Sequence, residues 1–155
     1  MDLLFYDSPV GRLGLMGEGD VLTALALPNQ PVPLIAERET PVLRETKKQL
    51  EAYFAGKLRD FDVPLRLEGT PFRLRVWEQL RQIPYGQVIS YGELARRIGQ
   101  PNAARAVGGA NHHNPIAILV PCHRVVAADG SLGGYGGGLE LKRALLKLEG
   151  VNLSL

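Results

Sequence analysis

The first 27 residues break into short apolar runs separated by turn formers. Leu3–Asp7, Arg12–Met16 and Val21–Leu27 read as strands, and Ser8-Pro9-Val10-Gly11 and Gly17-Glu18-Gly19-Asp20 read as the turns between them. The pattern predicts an antiparallel meander. Pro28, Pro31 and Pro33 then make a stiff connector with few backbone donors. The period changes at Thr40-Pro41, an N-cap followed by proline at the first helical position. Leu43, Leu50, Tyr53 and Phe54 give this helix an apolar stripe, and Gly56 ends it. Phe61–Leu67 reads as one more strand, demoted to an edge by Pro64.

Glu68-Gly69 is the expected boundary between an N-terminal domain, 1–69, and a C-terminal domain, 70–155. Thr70-Pro71 repeats the helix start. Phe72, Val76, Trp77, Leu80 and Ile83 recur at helical spacing, which makes Trp77 a packing residue, and Pro84 stops the run. Ser90 and Glu93 form a capping box for a helix running to Ile98, where Gly99 stops it. Asn102 is expected to cap a second helix from Ala103 to about Asn111. Two short helices across a tight turn form a helix-turn-helix pattern. Ile116–Val120 reads as a buried strand, and Val125–Ala128 followed by Asp129-Gly130 reads as the start of a hairpin. Leu139–Glu149 is a last amphipathic helix with Gly150 beyond it. The fold class is therefore mixed α+β. A small antiparallel sheet with a helix precedes a mainly helical domain.

The second helix of the helix-turn-helix pair is built from Ala103, Ala104, Ala106, Gly108, Gly109 and Ala110. Two glycines inside a helix cost about 1 kcal/mol each relative to alanine, so the smooth surface has a reason. Close packing against another helix and close approach to a nucleic-acid groove both supply one. Arg105 is the one long side chain on that surface.

With 155 residues, of which 45% are hydrophobic, the chain can bury a core. One cysteine excludes an internal disulfide and a multi-cysteine zinc cluster, and a lone thiol fits a reducing cytoplasmic setting. The N-terminus does not read as a signal peptide, and no apolar run is long enough to span a membrane. Net charge is only +2, but it is unevenly spread. Residues 1–69 hold eight Lys and Arg against eleven Asp and Glu, a balance of −3. Residues 70–155 hold ten against five, a balance of +5. The basic half is the one expected to meet a polyanion.

That half also carries Ile118-Leu119-Val120-Pro121-Cys122-His123-Arg124-Val125-Val126, where an apolar run delivers the cysteine with a histidine beside it. A cysteine reacts as its thiolate, and an imidazole is one way to make it. A buried cysteine that merely packs is the alternative. The glycine-rich segment Gly133–Gly138 lacks the spacing and lysine of a phosphate loop, but it lets backbone amides approach a ligand. His112-His113 has no carboxylate at ligand spacing, so no metal is expected. Together these features suggest cysteine nucleophile chemistry on a nucleic acid. A thiolate attacks soft alkyl carbon well, and the thioether product is stable.

Pro121-Cys122-His123-Arg124-Val125, Ala104-Arg105-Ala106-Val107-Gly108 and Ser90-Tyr91-Gly92-Glu93-Leu94-Ala95 resemble three motifs of the O6-alkylguanine-DNA alkyltransferases. They are the active-site signature, the arginine-finger helix and the first binding helix. Asn114-Pro115, Gly134-Tyr135-x-Gly137-Gly138 and Leu148-Glu149-Gly150 also fall in that family's order. The match is dense over 70–150 and looser before it, through Asp7–Gly11 and Tyr53-Phe54-x-Gly56.

The resemblance implies direct-reversal DNA repair. One alkyl group passes irreversibly from O6 of guanine, or O4 of thymine, in duplex DNA to Cys122. His123 takes the thiol proton through an ordered water, Glu149 orients His123, and Asn114 shapes the cysteine turn. Tyr91 donates to the departing base. The Cys122 and Val125 carbonyls and the Gly136 amide read that base in a pocket that includes Tyr135. Arg105 fills the gap left by the flipped nucleotide, and Ala103, Ala106 and Gly109 let the helix sit deep in the minor groove. No cofactor is implied, and the partner of the monomer is double-stranded DNA.

Residues 1–69 lack the cysteine and histidine set that holds zinc in some relatives. Asn111 stands where some carry a larger apolar residue. A non-enzymatic alkyltransferase-like lesion binder is the rival reading, against which the cysteine itself argues. A cysteine hydrolase is a further rival, but no oxyanion-hole pattern points to it.

Overall fold

The computed structural model describes residues 1–152. The chain divides into two compact units. The first holds Met1–Leu67 with Pro115–Ala117, and the second holds Glu68–Asn114 and the chain from Ile118 onward.

In the first unit the expected meander is present. Strands β1 (Asp2–Ser8), β2 (Gly11–Glu18) and β3 (Val21–Ala26) form an antiparallel sheet in the order β1-β2-β3. Ser8 pairs with Gly11, so Pro9-Val10 is a two-residue turn, which the Ser8 hydroxyl braces by donating to the Gly11 carbonyl at 2.6 Å. Helix α1 (Pro41–Phe54) is capped by Thr40, whose hydroxyl accepts from the Leu43 amide. The helix packs on β2 at Gly17, where an added Cβ would lie 3.3 Å from Leu43 Cδ2. The middle of β2 is buried on both faces. The proline connector reaches over the second face, since Val32 packs on Leu3, Met16 and Ala26. Phe61–Leu67 does not form a full strand. It contributes a parallel bridge of Leu65 to Leu22, flanked by bonds from the Leu22 amide to Pro64 and from the Arg66 amide to Leu22.

In the second unit Thr70 caps α2 (Pro71–Leu80) by accepting from the Arg73 amide at 3.2 Å. Trp77 is core, and its indole N–H donates to the Ala110 carbonyl at 2.8 Å, tying α2 to α4. Helices α3 (Tyr91–Arg97) and α4 (Ala104–His112) form the helix-turn-helix pair. Ser90 caps α3 as expected, but the Glu93 carboxylate pairs with Arg96 and Arg97. Asn102 does not cap α4. It lies in a turn closed by the Ala103 amide on Gln100, and Ala103 takes the cap position with no side-chain bond.

Two further expectations change near Cys122. Ile116–Val120 is not a strand. Ile116 only bridges to Leu25, and Ile118 turns the chain with φ of 75°, alone among the described non-glycine residues in that region. Asp129-Gly130 makes its turn but no hairpin. Strand β5 (Val125–Val126) pairs instead in parallel with β4 (Ile89–Ser90), joining the exit of the cysteine segment to the start of α3. Helix α5 (Leu139–Leu148) ends at Glu149, and Gly150 follows with φ of 80°. Among the described residues no helix is long and apolar enough to cross a membrane.

Candidate active site

Cys122 opens a single 3-10 turn, Cys122–Arg124, held by the Arg124 amide on Pro121. The Asn114 amide donates to the Val120 carbonyl at 2.7 Å and so shapes the chain just before it. Ile118 stores strain in the same loop, of the order of 1–3 kcal/mol for a non-glycine residue held at positive φ. The thiol is 5% exposed. Burial pushes its pKa up, and the Asn114 side chain, the Lys142 ammonium and the Tyr135 hydroxyl pull it back. The resting sulfur is therefore a protonated thiol that needs a base.

His123 is fully buried beside it, and its Nε2 lies 2.7 Å from Glu149 Oε2. Burial lowers the imidazole pKa, with Glu149 pulling the other way. A carboxylate only accepts hydrogen bonds, so the neutral ring carries its proton on Nε2 and keeps a lone pair on Nδ1. Nδ1 is buried and has no hydrogen-bond partner among the described residues. The pair is thus set as a base whose working nitrogen faces away from its orienting carboxylate.

Glu149 sits at the C-terminal end of α5, where the helix dipole disfavours a carboxylate. Donors converge on it to offset that. Arg124 grips it through Nε at 2.8 Å and Nη2 at 3.1 Å, the Gly86 amide reaches Oε1 at 3.1 Å, and the imidazole bonds Oε2. Arg124 also donates to the Ile83 carbonyl at 2.7 Å and lies over the Tyr85 ring. Sequence reasoning gave Arg124 no role. The signal was a charged residue inside an apolar run, which a fold can bury only with a partner.

Lys142 was also missed. It is fully buried on the apolar face of α5 beside Leu141, Leu145 and Leu146. Its ammonium donates to the carbonyls of Val125, Leu132 and Gly134, pinning the glycine segment to the cysteine turn. Burial lowers its pKa to about 8. The Val125 carbonyl, expected to read a base, thus already accepts one hydrogen bond.

A cavity of about 240 Å³ lies here, lined by Tyr91, Gly108, Asn111, His112, Gly134, Tyr135 and Gly136. It falls below the roughly 300 Å³ at which drug-sized sites begin, which suits a small planar group. Cys122 is not in this lining, but its carbonyl accepts from Asn111 Nδ2 at 3.2 Å. The Tyr91 hydroxyl donates to the Gly134 carbonyl at 3.4 Å, and burial, then the nearby Cys122, raises its pKa. Gly133 has φ of 69°, and a Cβ there would come within 3.0 Å of the Tyr91 ring.

Arg105, Ala106, Gly109 and His112 are exposed on α4, with Ala103 half-buried at its start. A Cβ on Gly109 would meet nothing within 4 Å, so packing does not account for that glycine. Arg105 makes no salt bridge among the described residues. No group of three or more His, Cys, Asp or Glu among those residues is placed to hold a metal ion.

Two family models match the chain. The ribonuclease-like domain of 6-O-methylguanine DNA methyltransferase matches residues 4–67, and the DNA binding domain of the same protein matches 71–151. A methylated-DNA–protein-cysteine methyltransferase of Mycobacterium bovis is 56% identical over 146 residues, covering 92% of this chain and 88% of that one. One from Methanosarcina acetivorans is 49% identical over 149 residues, covering 94% and 96%. The crystal structure of Mycobacterium tuberculosis OGT in complex with DNA superimposes with a TM-score of 0.91 at 54% identity, covering 96% of this chain and 92% of that one.

Proposed function

The chain belongs to the 6-O-methylguanine DNA methyltransferase family, and on that premise we propose that Cys122 is the acceptor in direct-reversal repair of DNA. The protein is a methylated-DNA–protein-cysteine S-methyltransferase that acts on DNA and uses each molecule once. The observation that carries the assignment of Cys122 is the buried set beside it. A neutral His123 is held by Glu149 through Nε2, with a buried Nδ1 that has no hydrogen-bond partner among the described residues.

The flipped O6-alkylguanine enters the cavity beside Tyr91. The thiol proton passes to His123 Nδ1 through a relay water, and Glu149, itself positioned by Arg124, stabilises the resulting imidazolium. The sulfur attacks the alkyl carbon, the carbon–oxygen bond breaks, and its electron pair stays on guanine O6. Tyr91 turns its hydroxyl from Gly134 to the leaving base and stabilises the anion. The product is a thioether that no neighbouring group can hydrolyse. Arg105 and the small face of α4 hold the opened duplex, with Ala103, Ala106 and Gly109 against the minor groove.

The two matched segments support reading 1–69 and 70–155 as separate domains. The lone free thiol supports work in the cytoplasm, where thiols stay reduced, and the protein is read as acting there as a monomer.

Duplex DNA containing O6-methylguanine should add one methyl per chain, mapped by mass to Cys122, and then stop. Cys122→Ala should bind the duplex without gaining mass. A methyl on any other residue, or turnover beyond one equivalent, rules the assignment out.

A further inference from the structure

Building on the base-flipping repair proposed above, we propose that His112 is a further DNA-binding residue whose imidazole donates a hydrogen bond to a backbone phosphate beside the flipped nucleotide. Two placements meet at this residue. Arg105, Gly109 and His112 are all exposed on α4. Their spacing is i, i+4 and i+7, which is one face of a helix, so His112 belongs to the open face of α4. The same residue lines the cavity, together with Tyr91, Gly108 and Gly134. It therefore stands on the lip between the helix face that meets the duplex and the cavity that receives the base.

A flipped nucleotide stays tied to its strand. When its base lies in the cavity, its sugar and flanking phosphates cross that lip. Of the described residues that line the cavity, His112 alone can carry a positive charge; the others offer phenols, an amide and backbone. The crossing also lies at the C-terminal end of α4, whose dipole disfavours an anion, so a donor there offsets that repulsion. Neutral imidazole has one N–H to give and imidazolium has two, so His112 can donate in either charge state. The neighbouring His113 is engaged elsewhere. Its Nδ1 donates to the Gly109 carbonyl at 2.8 Å, and its ring stands edge-on to His112 with centroids 5.4 Å apart.

The test pairs the residue with the phosphate in a double-mutant cycle. Single-turnover transfer is measured from O6-methylguanine duplexes in which the linkage on one side of the lesion or the other is an uncharged methylphosphonate. One of the two linkages should slow the wild-type protein about ten-fold, the worth of one hydrogen bond to a charged acceptor. His112→Ala, which an exposed helix position tolerates, should be about ten-fold slower on the unmodified duplex and nearly indifferent to that methylphosphonate. His112→Arg keeps a donor and should regain the sensitivity. Equal sensitivity of wild-type and His112→Ala at both linkages overturns the inference, and so does a wild-type protein that neither linkage slows. A wild-type protein that gains no methyl from the unmodified duplex overturns the proposed function instead.

Discussion

Glu149 is a carboxylate at the end of a helix that repels it, and its side chain is fully removed from water. It persists because Arg124, His123 and Gly86 supply four hydrogen bonds. Removing one partner of a buried ion pair strands the other, at a cost of about 3–5 kcal/mol. Glu149→Ala should therefore lower the thermal midpoint sharply and also slow methyl transfer, because His123 loses its tautomer. His123 adds a pH signature. Its folded pKa lies below the ordinary 6.5, so the unfolded chain binds a proton there that the folded chain refuses. The His123 contribution should be level above pH 7 and be lost as pH drops through 6.5. Urea midpoints from pH 8 to 5.5 would check this, and His123→Asn should flatten that part of the profile.

At the scale of elements, α4 trades stability for an open face. Nothing lies within 4 Å of a Cβ on Gly109, so Gly109→Ala should stabilise the helix by up to about 1 kcal/mol. Gly109→Leu should fold equally well yet slow transfer from duplex DNA far more than transfer from free O6-benzylguanine. On its proposed role Arg105→Ala should show the same asymmetry, since holding an opened duplex does nothing for transfer from a free base. Single-turnover rates on the two substrates measure both, and equal losses would remove α4 from the DNA interface. The helix pair was legible in the sequence because its signals are local: Ser90 as a cap, Gly99 as a stop, an apolar spacing between. The threonine-proline starts of α1 and α2 were legible for the same reason. The elements that were misread depend on distant partners. Val125–Val126 pairs with Ile89–Ser90 rather than with the chain after Asp129-Gly130, and the Ile118 turn interrupts a run that looks like a strand. The site divides in the same way. Cys122, His123 and Glu149 carry their chemistry in their names, and motif order linked them. Arg124 and Lys142 look like surface cations until the fold closes over them.

At the scale of the whole molecule, the charge asymmetry sets how the protein meets DNA. Residues 70–155 carry a balance of +5, but not all of it is available. Arg124 and Lys142 are buried, and Arg81, Arg96 and Arg97 pair with Glu78 or Glu93. Few cations without a salt bridge among the described residues remain for phosphates, so counterion release is modest. The logarithm of the binding constant for undamaged duplex should fall with the logarithm of salt concentration with a slope of roughly −3 to −5. Arg105→Ala should weaken binding yet leave that slope nearly unchanged, because a side chain that fills the gap of a flipped nucleotide sits among the bases and releases no phosphate counterion. Fluorescence anisotropy across a salt series reads both numbers. A slope near zero would take the duplex away as a polyanionic partner. A slope shallower by about one in Arg105→Ala would place that guanidinium on a phosphate and take it out of the gap left by a flipped nucleotide.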